Sequence, residues 1–283
     1  MEYIVTCVDD SALTPAVCDA AIWAAKKLHK PIRFLHTIEK QPQHGADDYT
    51  GAIGLGARSV LLEEIVKLDE QRSKLALQLG RELLDKLIHQ ANTAGLTDAI
   101  ALQRHGDIVD AITELKDDTR LIVIGRTGKG HEGKFEALGS HVETLLRKAT
   151  GPVLLIPAEF TQPTSFMLAY DGRTTAETAL QNIIDGGLLH GLHCHLVAVK
   201  NNETNLEEKL RAAEQMMQSH GFTVTARFLE GNIHKSLMQY QQEQAIDLIV
   251  MGAFGHSKLR QFFIGSNTIK MLENNPTPIV VLR

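Results

Sequence analysis

The stretch RLIVIGRTGKGHEGKFEALGSHVETLLRKATGPVLLIP, Arg120 to Pro157, is written twice in this chain. Its second version is DLIVMGAFGHSKLRQFFIGSNTIKMLENNPTPIVVLR, Asp247 to Arg283. Each copy runs from an apolar β-branched segment into glycines, then through a helical pattern to a second apolar segment opened by proline. That order reads as strand, loop, helix, strand. Two further blocks repeat upstream in the same sequence. HGDIVDAI (His105 to Ile112) matches EGNIHKSL (Glu230 to Leu237), and VTCVDDS (Val5 to Ser11) matches MLAYDGR (Met167 to Arg173). Three blocks in one order make the chain a tandem duplication. The polar seam AEFTQPTS, Ala158 to Ser165, separates two units, 1–157 and 164–283.

The remaining pattern fills in each unit. YIVTCV, IRFLHTI, AIALQ, LIVIG and PVLLIP are short apolar runs in the first half; SFMLAY, CHLVAV, TVTARF, LIVMG and IVVLR repeat the set. Near-continuous apolar strands separated by helices imply a parallel sheet covered on both faces. The expected fold is α/β, two tandem doubly wound domains with five-stranded parallel sheets flanked by helices. Thr14 is read as an N-cap with Pro15 at the first helical position. Val17, Ala21, Ala24 and Leu28 form one stripe in the first half; Leu206, Leu210, Ala213 and Met217 form one in the second.

The halves differ in length. Asp9 to Gly125 spans 116 residues, whereas Asp171 to Gly252 spans 81, so the first half carries an extension of about 35 around residues 40–75. Its first part is Gly-rich and reads as a flap. Leu61, Ile65, Leu68, Leu75, Leu79 and Leu83 then mark a long amphipathic helix ending near Gly95, whose apolar face reads as core packing.

Composition narrows the function. The chain has 283 residues, 43% of them apolar, a net charge of −5 and a pI near 6.2. No basic cluster marks a nucleic-acid footprint. MEYIVTCVDD lacks the pattern of a signal peptide, and no apolar run reaches the roughly 18 residues of a membrane helix. Cys7, Cys18 and Cys194 have no C-x-x-C spacing and read as free buried thiols. A cytoplasmic protein is expected.

Inside the first copy, GKGHEGKF (Gly128 to Phe135) nearly spells a phosphate loop, but Phe135 has no hydroxyl for a magnesium ion. Comparison of the copies shows which glycines recur, and these read either as an anion site or as a tight turn followed by a serine cap. The second reads G-x-x-G-x9-G-S, with Gly252, Gly255, Gly265 and Ser266. The first keeps Gly125, Gly128, Gly139 and Ser140 with one extra residue between the pairs. Gly130, Gly133 and Lys134 have no counterpart. Glycines after a strand bring backbone N–H groups close to an anion, and Ser266 can cap a helix whose N-terminus favours phosphate. In doubly wound sheets ligands bind beyond the carboxyl ends of the strands, where Asp9, Asp171, Gly125 and Gly252 fall. His131 is read as facing solvent, and His256 as either phosphate contact or solvent-facing. HGLHCH (His190, His193, Cys194, His195) invites a metal reading, since His193 and His195 share a strand face. No fourth ligand is evident, and a His-rich strand entry is preferred.

With these marks, VDDS and YDGR closing the first strands, the IVIG and IVMG strands, the glycine runs and the final PVLLIP and PIVVLR, the whole chain resembles a tandem universal stress protein. The resemblance implies strand order 3-2-1-4-5 and pairing of the domains through their last strands, with a homodimer conceivable. It implies ATP binding with Mg2+ or Mn2+, chiefly in the second domain, by Asp171, Ala198, Met251, Gly252, Phe254, Gly255, His256, Gly265, Ser266 and Asn267. A weaker first-domain site would use Asp9, Ile124, Gly125, Gly128, Gly139 and Ser140. No catalytic or metal-ligating set is assigned, and at most weak ATP hydrolysis is expected. The implied role is a stress-response regulator or sensor, the alternative an interaction scaffold that binds no nucleotide.

Overall fold

The computed structural model describes residues 1–38, 55–127, 140–252 and 275–282. Ten strands form one sheet. Those of the first half are β1 (Tyr3–Cys7), β2 (Ile32–Ile38), β3 (Ile100–His105), β4 (Thr119–Gly125) and β5 (Val153–Ile156). Those of the second are β6 (Ser165–Ala169), β7 (His193–Val199), β8 (Val224–Leu229), β9 (Ile249–Gly252) and β10 (Ile279–Leu282). The order across the sheet is β3-β2-β1-β4-β5-β10-β9-β6-β7-β8. Each half thus has the order 3-2-1-4-5, and the second half runs mirror-wise from the shared seam. Every pairing is parallel except β5 with β10, where Leu154 lies opposite Val280.

Strand geometry sends alternate residues to opposite faces. One face gathers Ile4, Phe34, Val123, Leu154, Phe166, Leu196 and Val280 under α1 (Thr14–Leu28), α2 (Leu55–Thr93), α5 (Thr174–Gly186) and α6 (Leu206–Ser219). The other gathers Val5, Leu35, Ile124, Leu155, Met167, Val197 and Val281 under α3 (Ile108–Glu114), α4 (Ser140–Lys148) and α7 (Ile233–Glu243). Both faces of the central strands are covered, so β4, β5, β9 and β10 read as near-continuous apolar runs, whereas the edge strands β3 and β8 carry polar residues.

Two expectations need correction. Thr14 is the first residue of α1 and not its cap: Leu13 holds the N-cap position, and the Thr14 hydroxyl donates to the carbonyl of Asp9. The apolar face of α2 is core packing only over its C-terminal half. Leu84, Leu87 and Ala91 are buried, yet Leu75 is 55% and Leu79 52% exposed. Direction and length both contribute: Leu75 and Leu79 point well around the helix from the buried row of Gly80, Leu84, Leu87 and Ala91, and the helix is long. Its 39 residues extend about 58 Å at 1.5 Å per residue, while the six of β3 cover about 20 Å. The helix outruns the sheet it covers. The stripes in α1 and α6 do face the core.

Side chains cross the seam as well. The buried guanidinium of Arg126, just after β4, donates to the carbonyl of Asn275, just before β10. Arg120 donates to the Gly186 carbonyl at 2.7 Å and Lys27 to that of His190 at 3.1 Å. Both cations thus sit against carbonyls at or just beyond the end of α5, where the helix dipole is negative. Phe160, in the connecting segment, packs on Trp23 at 5.9 Å between ring centroids. The Asp247 carboxylate accepts from the backbone and hydroxyls of Thr164 and Ser165, tying the start of β6 to the start of β9.

Leu154 is completely buried where the two halves meet. Leu154→Ala is expected to cost about 2–5 kcal/mol, the range for a buried leucine truncation. Urea unfolding followed by the fluorescence of Trp23, the single tryptophan, checks this.

Candidate functional site

The crevice lies where the strand order reverses, between β6 and β9 in the second half and between β1 and β4 in the first. In the second half, β6 delivers the turn Asp171-Gly172-Arg173. Gly172 has φ +75, a left-handed conformation that favours glycine, and a Cβ there would lie 2.7 Å from the tip of the Leu206 side chain. The Asp171 carboxylate accepts from the Arg173 backbone N–H at 3.0 Å, a local turn that leaves the side chain partly open to solvent. Around it converge groups from two further elements. Asn201, just past β7, donates to the Asp171 carbonyl at 3.0 Å. Lys209, on α6, donates to the Gly172 carbonyl at 2.9 Å and pairs with Glu203 at 3.3 Å. Arg173 pairs with Glu203 at 3.1 Å. The hydrogen bonds from Arg173 and then Lys209 hold the Glu203 carboxyl below its ordinary range.

Across the crevice, Gly252 ends β9. A Cβ there would meet the Thr175 carbonyl at 3.2 Å and the Ala179 methyl at 3.4 Å, so the first turn of α5 approaches this strand end closely. Met251 and Ala198 are buried, Met251 on the face under α7 and Ala198 among the side chains under α5 and α6. The structure therefore brings Asp171 and Gly252 to one crevice and places the side chains of Ala198 and Met251 in the core beside it. Phe254, Gly255, His256, Gly265, Ser266 and Asn267 lie outside the described residues.

The first half builds the crevice differently. Asp9 accepts from the Ser11 N–H at 3.1 Å. Here Leu13 stands at the position Thr175 occupies in the second copy. Its Cδ1 lies 3.1 Å from where a Gly125 Cβ would be, so an apolar side chain sits over the strand end from which the glycine run starts. Ile124 is buried. Gly128, Gly139 and His131 lie outside the described residues, and Ser140 begins α4.

Asn201, Glu203 and Lys209 were not singled out from sequence. The run KNNETN directly follows β7, the strand beside β6, and polar residues at that strand end were the available signal. Lys209 is one helical turn into α6 and carries no such mark.

The histidines form a separate cluster under α7. The rings of His193 and His195 stack at 4.6 Å. His193 Nε2 is hydrogen-bonded with the Thr225 hydroxyl at 2.9 Å, and the Tyr240 hydroxyl lies 3.0 Å from His195 Nδ1. Among the described residues no three His, Cys, Asp or Glu side chains come together as a metal site. The three cysteines are buried and free, and burial pushes the Cys18 thiol up to about 12.

A sequence model described as the universal stress protein family matches residues 1–157 and again 164–283. The chain belongs to the universal stress protein family. Its two Usp units lie in tandem. Universal stress protein Slr1230 of Synechocystis is 30% identical over 287 residues, covering 100% of both chains. The crystal structure of a universal stress protein from Archaeoglobus fulgidus superposes with a TM-score of 0.72 at 20% identity, over 99% of this chain and 98% of that one. A functionally unknown protein, PA1789, from Pseudomonas aeruginosa gives 0.64 at 16% identity, over 100% and 92%. These two structures share the fold. Among the described residues no helix of this Usp chain is long and apolar enough to cross a membrane.

The environment of His195 predicts a pH dependence of stability in the second Usp unit. Burial, then the neighbouring His193 and Arg227, depress the pKa of His195. The folded state thus prefers neutral imidazole, and the stability this carries is complete above the unfolded value near 6.5 and is lost as pH falls below it. Urea midpoints should drop between pH 7.5 and 5.5, and His195→Gln should reduce that drop.

Proposed function

We propose that this protein binds ATP with Mg2+ or Mn2+ in the crevice of its second unit, residues 164–283, and acts as a cytoplasmic stress-response regulator or sensor. The observation that carries the reading is the difference between its two crevices. In the second, Asp171, Asn201 and Lys209 gather at the end of β6 opposite Gly252, with Thr175 at the crevice. In the first, Leu13 lies over Gly125.

The residues divide the work by position. The Asp171 carboxylate, partly exposed and held by its own turn, is placed to accept from a ribose hydroxyl. Lys209, donating to the Gly172 carbonyl, and Arg173 supply positive charge at that turn. The glycine run from Gly252 to Ser266 offers backbone N–H groups to phosphate, as its spacing implies. The carboxylates at hand, Asp171 and Glu203, are already paired with Arg173 and Lys209. A magnesium ion fits this site as a companion of the phosphates, since it ordinarily keeps waters and takes few protein ligands. The metal would supply charge neutralisation there.

Calorimetric titration of nucleotide-stripped protein with ATP and magnesium should show one dominant site. Gly252→Val, which drives a side chain against α5, and Gly265→Val should each weaken binding at least about tenfold, a loss of about 1.4 kcal/mol. Gly130→Ala and Gly133→Ala should leave it unchanged. Absence of any heat at high protein concentration supports the scaffold reading instead, and steady phosphate release supports a slow ATPase.

A further inference from the structure

The overhanging half of α2 is an unpartnered surface with its own pattern. From Glu64 to Leu75 every residue but Asp69 is exposed, so solvent surrounds the helix on all sides. Within it Ile65 is 39%, Leu68 52%, Leu75 55% and Leu79 52% exposed. These recur three and four residues apart, with Arg72 completing the series between Leu68 and Leu75. Ile65, Arg72 and Leu79 are one set seven apart, and Leu68 and Leu75 the other. A repeat alternating three and four is the seam of a coiled coil, in which each apolar knob needs a hole on a facing helix. No other helix among the described residues supplies it. The counterpart in the second half, α6, has 14 residues, and its stripe is already buried against its own sheet.

The charges choose the occupant. Residues 64–70 carry Glu64, Asp69 and Glu70 against Lys67. Residues 71–81 carry Arg72, Lys74 and Arg81 with no acid. The projecting helix is acidic in its first half and basic in its second. A second copy laid antiparallel sets acid on base at both ends, whereas a parallel copy sets like on like. Antiparallel overlap centred near Glu70 places Ile65 against the partner's Leu75 and Leu68 against the partner's Arg72, with Asp69 flanking that arginine. It also leaves the two globular bodies at opposite ends of the pair.

We infer that α2 is a self-association element, and that two copies of this chain dimerise through an antiparallel coiled coil of residues 64–76. Sedimentation over a concentration series tests this on the full chain. The expected mass rises from 31.2 kDa to twice that value, and high salt weakens the association. Leu68→Glu combined with Leu75→Glu alters only exposed positions, so circular dichroism should match the parent, and the mass should stay at that of one chain. A parent protein monomeric at every concentration overturns the inference, as does a dimer that survives the double substitution. Orientation is read by oxidation of single-cysteine variants, the native thiols being buried. Gln71→Cys, near the centre, should crosslink to its partner, and Leu79→Cys should not. Efficient crosslinking of Leu79→Cys indicates parallel helices and overturns the antiparallel assignment.

Discussion

The antiparallel pairing of β5 with β10 is the constraint on which the rest depends. Each unit alone would leave its last strand as a bare sheet edge, a row of unsatisfied N–H and C=O groups. Joining the two edges satisfies both and makes one ten-stranded sheet. The join is short, with Ile279, Val280 and Val281 opposite Leu155, Leu154 and Val153, so backbone bonds alone would hold it weakly. Burial completes it: these side chains are 0 or 1% exposed, divided between the two faces. Covalent tandem linkage makes the encounter intramolecular, at the effective concentration set by a short connection. That connection is itself fixed by Phe160 on Trp23 and by Asp247 on Thr164 and Ser165.

The same seam frees the two crevices to diverge. They lie on the far sides of β4 and β9 from it, so neither contributes its backbone to the other's site. One difference between the copies lies there: Leu13 and Thr175 occupy matching places, and Leu13 puts its isobutyl chain on the glycine that opens the run, where the second copy has the Thr175 carbonyl and the Ala179 methyl. Arg126 adds a second asymmetry, because its matching position in the other copy is Ala253. Its buried charge is compensated by the Asn275 carbonyl, which ties the start of the first glycine run to the strand entry of the second unit. Burial lowers the pKa of Arg126, the cost of placing a guanidinium at this seam.

The ten strands were legible because a doubly covered parallel sheet demands unbroken apolar runs, and the duplication let each run check its twin. Strand order and the β5–β10 join came with the family resemblance and not from the runs themselves. At the site, Asp171 and Gly252 were legible because they end strands at the switch point. Asn201, Glu203 and Lys209 were not, because their partners are backbone carbonyls and charges brought near only by tertiary packing. The resemblance implies a place near the adenine for Ala198, and its side chain is wholly buried. Strand position fixes proximity to a crevice, while side-chain direction alternates and decides what reaches it. Thr14 was misread because its hydroxyl looks back to Asp9, a contact five residues away that cap statistics do not weigh.

The α2 stripe shows the limit of periodicity from the opposite side. Leu68 and Leu83 belong to one apolar stripe, but the first is open to solvent and the second packs against the core. Periodicity gives the angle of a side chain around a helix and says nothing of how far along the helix the sheet extends. The count of residues does: 39 in α2 against 14 in α6. A duplicated fold supplies its own ruler. Where one copy carries turns that the other lacks, and those turns still bear leucine in register, sheet packing cannot be what keeps the leucines there. A partner outside the domain is then the physical reason the pattern continues.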